Sequence, residues 1–298
     1  MLRNQVFTDF NLNLKREIFN HEILSIYDIV TNFIKKNSIY DLDFWKSIWI
    51  KCVNNQKMLL ILVNPEMNYL EELKRLSEIL NVDSFYYQFR KNQRKPDKLE
   101  NLHLLKGFPT IYEVIENYKF NLSPYSFCQA NNLMAHKLYK KLSKLMNDSN
   151  HNLSNLVIYG RTSSPLSILN SNNFKNIYCS IPCPVVYKNM LLDLKVNHIN
   201  NVLPIYQNKK KFNPNNLVKE PYLLLLSPGY QGLPKEILNN FPKFKNVNKI
   251  FFLYCNKQKM ERDLKYLGSK INFKVCNKYF TTYSSNCLEI IIEIDLSS

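Results

Sequence analysis

The stretch KIFFLYCNKQKMERDL, residues 249–264, changes character at its middle. An apolar run of strand character stops at Cys255 and Asn256, and a charged, helix-like segment follows. A cysteine at such a junction has two readings. It is one more buried sulfur, as free cysteine commonly is, or it is a nucleophile held at the lip of a sheet. Only its surroundings separate the two.

Working outward, the same alternation of short apolar runs and helical segments extends from Leu156 to the end of the chain. The strand candidates are LVIY (156–159), NIYC (176–179), NVLPIY (201–206), YLLLL (222–226), KIFFLYC (249–255), FKVCNKY (273–279) and CLEIIIEI (287–294). Such alternation predicts an α/β fold, a sheet whose crossovers are helices, with its chemistry at the carboxyl ends of the strands. Cys255 stands at one of those ends. The segment KKKFNPNN (209–216) reads as a solvated loop.

The first part of the chain has a different pattern. A helix is expected near residues 20–36, then a hairpin from Phe44 to Val63 around the NNQ turn. A second helix from about Asn68 to Leu80 carries Leu70, Leu73, Leu76 and Leu80 at helical spacing, and SFYYQFR (84–90) is a further strand. This α+β unit runs into RKNQRKPDK, where Arg90, Lys91, Arg94 and Lys95 form either a solvated turn or a contact for RNA phosphate. The expected organisation is a helical segment over residues 1–40, a small α+β domain over 41–117 and a larger α/β domain over 118–298.

Composition narrows the function. At 298 residues with 45% hydrophobic content, the chain can bury a real core. Its 40 Lys and Arg against 24 Asp and Glu give a net charge of +16, which favours an anionic partner such as nucleic acid. Aromatic residues at 13% supply faces on which bases can stack. The odd, scattered set of seven cysteines does not form a disulfide framework, so an intracellular, reducing compartment is expected. Cys179 and Cys183 have no second cysteine or histidine pair beside them, so no metal site is expected. No apolar run approaches the roughly 18 residues of a membrane span.

With these residues in view, the chain resembles a known family. YKFNLSPYSFCQANN (118–132) is similar to the signature that precedes the catalytic domain of the S-adenosylmethionine (SAM)-dependent RNA (uracil-C5) methyltransferases. Together with FYYQFRKNQRKPDKLENLHLLKG (85–107), it looks most like the eukaryotic tRNA enzymes that make 5-methyluridine in the T-loop. FFLYCNKQKMERDLKYL (251–267) resembles the family's cysteine segment, and YSSNCLEIIIEI (283–294) the segment of its general base. The matches keep their order from about residue 44 to the end.

The resemblance implies a Rossmann-like SAM methyltransferase domain preceded by the small α+β domain, with SAM as cofactor. It implies tRNA or another structured RNA as partner, with a protein partner as a further candidate and no membrane. It also implies roles. Cys255 would add to carbon 6 of uracil, which makes carbon 5 nucleophilic, and Glu289 would remove the carbon 5 proton. Gln129, Gly160, Asn197 and Ser227 fall at positions of the cofactor site.

The same comparison exposes departures. The family's first sheet strand ends in an acidic residue and a glycine-rich loop, which lets backbone approach the cofactor closely. Here Ile158 stands at the acidic position, and Thr162 and Ser164 at glycine positions. Ile181 replaces the carboxylate that holds the ribose, and Ser227 and Tyr230 replace the aspartate and arginine of the Asp-Pro-Pro-Arg turn. Two function classes follow: an active tRNA uracil methyltransferase, or a catalytically inactive homologue that binds or folds RNA.

Overall fold

The computed structural model describes residues 5–9, 17, 19–37, 44–65, 69–89, 102–126, 128, 129, 131–149, 153–208, 211–284 and 287–296. These divide into two compact units, residues 1–114 with 121–132, and residues 115–120 with 133–298.

The first unit is built on a five-stranded sheet in the order β1-β2-β3-β4-β5: Gln5–Asp9, Trp45–Val53, Gln56–Val63, Ser84–Phe89 and Leu102–Gly107. The β2–β3 hairpin turns at Asn54 and Asn55, with φ of 47° and 60°. Asparagine tolerates that left-handed region, and two such residues in succession match the right-handed twist of the flanking strands. β3 and β4 run parallel, joined through helix α2 (Leu70–Ile79). Helix α1 (His21–Lys36) starts at Asn20, whose side chain accepts from the Ile23 amide at 2.9 Å. Ile23, Val30 and Ile34 of α1 and Leu73 and Leu76 of α2 pack with Ile48, Ile50, Leu59 and Ile61 on one face of the sheet. The helix expected near 20–36 thus belongs to the core of this unit.

The other face of that sheet is also covered. Met58, Leu60 and Leu62 pack with Leu122 and Cys128, so Met58–Val63 is buried without interruption. Lys51 pins the covering segment: its ammonium donates to the carbonyls of Ser123, Pro124 and Ser126 at 3.0, 2.8 and 2.8 Å. Burial lowers the Lys51 pKa to about 8. Trp49 meets the Tyr125 ring edge-on at 5.3 Å, and the Tyr125 hydroxyl donates to Gln88. Strands β6 (Ile111–Ile115) and β7 (Tyr118–Leu122) pair with each other.

The second unit carries a seven-stranded sheet in the order β10-β9-β8-β11-β12-β14-β13. In chain order the strands are β8 (Asn155–Gly160), β9 (Asn176–Ile181), β10 (Val202–Tyr206), β11 (Tyr222–Ser227), β12 (Val247–Tyr254), β13 (Lys274–Ser284) and β14 (Cys287–Asp295). β8 to β12 are parallel, and β14 is inserted antiparallel between β12 and β13. Every strand candidate after Leu156 is found. Helices cover both faces: α3 (Asn132–Asp148), α4 (Ser163–Leu169) and α5 (Pro184–Val196) on one, α6 (Lys235–Asn240) and α7 (Lys257–Gly268) on the other. The sheet explains the sequence pattern, because parallel strands buried on two faces read as continuous apolar runs. The expected α/β, Rossmann-like class is the fold observed. Strand order reverses between β8 and β11, and in such sheets the ligand crevice lies at the carboxyl ends beside that reversal. Among the described residues, no helix is long and apolar enough to cross a membrane.

Candidate functional site

Two places at the carboxyl ends of this sheet carry the predicted site residues. The first is the reversal between β8 and β11. Gly160 closes β8 at φ 131° and pairs with Ser227 of β11. A Cβ on Gly160 would lie 2.1 Å from the Ser227 carbonyl oxygen, so only glycine lets the two strands close here.

Beyond Gly160 the turn is filled by hydroxyl side chains directed inward. Thr162 Oγ1 donates to Ser227 Oγ at 2.8 Å, joining the ends of β8 and β11. Ser163 Oγ donates to the Gly160 carbonyl at 2.7 Å. Ser164 Oγ donates to Asp193 Oδ2 of α5 at 2.6 Å. Thr162, Ser163, Ser164, Asp193 and Ser227 are all buried. At the end of β9, Ile181 is fully buried in the apolar core, as is Ile158 in β8.

The Asn197 side chain accepts from the Lys119 amide at 2.8 Å and donates to the Lys119 and Asp193 carbonyls, both at 2.7 Å. It acts there as a strap between β7 and the end of α5. Gln129 is half-buried in the first unit, where its carbonyl accepts from Cys128 Sγ at 3.5 Å. Arg90, Lys91, Arg94 and Lys95 lie outside the described residues.

These residues depart from the pattern that the resemblance implies for a SAM site. A glycine-rich turn holds such a cofactor by bare backbone, and a carboxylate at the next strand end holds its ribose. Here the turn is packed with side chains, and an apolar residue in the core takes the place of the carboxylate. The nearby Asp193 is itself committed to Ser164.

The second place is the end of β12. The last pair in its ladder with β14 is Tyr254 with Ile290. One further step of that antiparallel register would set Cys255 against Glu289, although the two lie far apart in sequence. Leu253 and Ile291, two residues inward and so on the same face, belong to the core under α3 to α5. Cys255 is half-buried and Glu289 is 5% exposed. Asn256 then caps α7, accepting from the Lys259 amide at 3.2 Å. That cap is the reason strand gives way to helix just after Cys255.

Three other thiols lie deep in the cores. Burial pushes Cys52, Cys128 and Cys179 up to about 12, which keeps them protonated and inert.

Two carboxylates that the sequence did not single out hold this edge. Asp263 of α7 is fully buried and accepts from the Leu233 amide at 2.7 Å and from the Tyr254 hydroxyl at 3.0 Å. It ties the loop after β11 to the end of β12. Glu293, four residues along β14 from Glu289, pairs with Lys249 at 2.9 Å and accepts from Ser149 Oγ at 2.8 Å and Asn277 Nδ2 at 2.5 Å.

Comparison with known proteins agrees with this architecture. No family model matches the chain. It is 26% identical over 173 residues to an uncharacterised RNA methyltransferase of Clostridium acetobutylicum, a match covering 57% of this chain and 37% of that protein. A second uncharacterised RNA methyltransferase, from Bacteroides thetaiotaomicron, is 22% identical over 190 residues, covering 61% of this chain and 41% of the relative. The matches span less than half the length of these relatives.

Among solved structures, the tRNA (uracil-54, C5)-methyltransferase of Pyrococcus abyssi in complex with S-adenosyl-L-homocysteine superposes with a TM-score of 0.76 at 15% identity. The superposition covers 98% of this chain and 74% of that one. The tRNA m1G37 methyltransferase of M. jannaschii gives a TM-score of 0.52 at 14% identity over 92% of this chain and 79% of its own. The chain therefore has the fold of the SAM-dependent RNA methyltransferases and, over part of its length, is similar in sequence to two RNA methyltransferases.

Proposed function

We propose that the protein binds structured RNA, tRNA in the first instance, on a uracil-C5-methyltransferase type of fold, and that it does so without methyl transfer. The observation that carries this reading is the closed turn at the strand reversal, where Thr162 meets Ser227 across the crevice and Ile181 replaces a carboxylate. Support for RNA comes from the net charge of +16 and from the RNA methyltransferase relatives. In this reading Cys255 and Glu289 persist as parts of the sheet edge. With no disulfide framework among its cysteines, the protein is proposed to work in a reducing compartment.

A second reading, methyl transfer to carbon 5 of a uridine, is favoured by one observation, a β12–β14 register that ends at Tyr254 with Ile290 and, continued by one step, would set Cys255 opposite Glu289. Cys255 would then supply the nucleophile for carbon 6 and Glu289 the base for the carbon 5 proton.

Salt dependence tests the shared claim. If several lysines and arginines meet phosphates, tRNA affinity measured by fluorescence anisotropy falls by about a thousandfold or more between 50 and 200 mM salt, the drop for roughly six or more phosphate contacts. A response that stays flat over that range removes the basis for RNA as the partner.

A further inference from the structure

β13 is the outer strand of the seven-stranded sheet, beside β14. Its pairing shifts between Val275 and Asn277, so the strand changes which side chains it shows to each face along its length. Val275 pairs with Ile294, Lys278 with Ile292 and Phe280 with Ile290. Those three isoleucines belong to the core under α6 and α7. Residues opposed across an antiparallel pair share a face. Val275, Lys278 and Phe280 therefore lie on the α7 side of the sheet, at its rim.

At that rim they remain open. Phe280 is 51% exposed and Val275 44%. The Lys278 ammonium stands 5.2 Å from the centre of the Phe280 ring. Just before β13, at the end of α7, the Lys270 ammonium stands 5.8 Å from the centre of the exposed Tyr266 ring. Single exposed aromatics are common on protein surfaces. Here an exposed ring, an exposed valine and an ammonium share one face of an edge strand.

We propose that this rim, at Lys278 and Phe280, is a contact surface for an unpaired segment of RNA, in which a base stacks on Phe280 while Lys278 takes a backbone phosphate. The proposal rests on the RNA-binding reading above and gives that reading a location. The chemistry selects the partner. A base offers a flat π-face to the ring and a phosphate beside it to the ammonium. In the free protein the Lys278 ammonium lies over the Phe280 ring, where a phosphate can replace the ring as its partner.

The test is fluorescence anisotropy with a short, labelled single-stranded oligouridylate and, separately, a tRNA transcript. Phe280→Ala is expected to weaken oligouridylate binding by about tenfold or more, the loss of one base–aromatic stack, and Phe280→Trp to restore it. Lys278→Ala is expected to lower the slope of log affinity against log salt by about 0.7, one phosphate contact on a single strand. Phe280 is half-exposed, so the variants should keep the wild-type melting curve, recorded alongside. If the wild-type protein binds RNA and Phe280→Ala binds oligouridylate within about twofold of it, this rim is not the contact. If the wild-type protein binds neither RNA, the RNA-binding reading falls together with the rim.

Discussion

Gly160→Ala is expected to unfold the second unit, at a cost above about 4 kcal/mol, outside the range of ordinary substitutions. Two independent effects act at this position. The backbone at φ 131° is one that residues with a Cβ rarely adopt. The added Cβ would also meet the Ser227 carbonyl at 2.1 Å, and backbone in the middle of a sheet cannot move aside as a flexible side chain can. Separating β8 from β11 there would break the ladder from Asn155 to Gly160 and with it the Thr162–Ser227 bond. Loss of soluble protein, or a urea midpoint far below that of the wild type, is the expected outcome. A variant destabilised by less than about 1 kcal/mol would mean that the two strands do not close on each other at Gly160.

Glu293→Ala is expected to cost about 3 kcal/mol, the lower end for removing one partner of a buried ion pair. Glu293 is 3% exposed and anchors groups from three elements: Lys249 of β12, Asn277 of β13 and Ser149 at the end of α3. Burial alone would raise its pKa and is the largest single influence. The hydrogen bonds from Lys249, Asn277 and Ser149, with the Lys249 charge, outweigh it together and hold the carboxyl below its ordinary 4.5. The sign of the pH effect follows. With the folded-state pKa depressed, the unfolded chain takes up its proton first. The contribution of Glu293 is fully present above pH 4.5 and is lost as pH falls through the lowered folded-state value. Urea unfolding at neutral and at acid pH should therefore show a wild-type loss of stability that Glu293→Gln reduces. Equal acid sensitivity in the two proteins would count against this carboxylate as a source of it.

The α/β half of the fold was legible because its strands are buried on both faces. YLLLL and IFFLY are apolar without interruption, and the helices between them supply the breaks. In the first unit the β2–β3 hairpin and both helices were legible from turn residues and leucine spacing. β5 was not, because Leu102–Gly107 is largely open to solvent and shows no alternation. β6 also escaped, since Glu113, buried in the middle of Ile111–Ile115, breaks the expected apolar pattern.

At the candidate site, Cys255 and Glu289 came from the resemblance, and the β12–β14 register supplied the reason they can meet. The Thr162–Ser227 bond joins residues 65 apart, and the Glu293–Lys249 pair forms only because β14 returns antiparallel beside β12. Neither has a local signature. The departures at Ile158 and Ile181 were visible in the sequence, but not their consequence, that both side chains complete an apolar core beneath the crevice.

The most direct test of the proposal that this turn does not take SAM is calorimetric titration of SAM into the purified protein, with and without a tRNA transcript. The expected result is no saturable binding in either condition, because hydroxyl side chains fill the turn after Gly160 and no carboxylate stands at the end of β9. Binding in the micromolar range would contradict it. The turn from Gly160 to Ser164 would then have to open for the cofactor, and Cys255 and Glu289 would be a working catalytic pair.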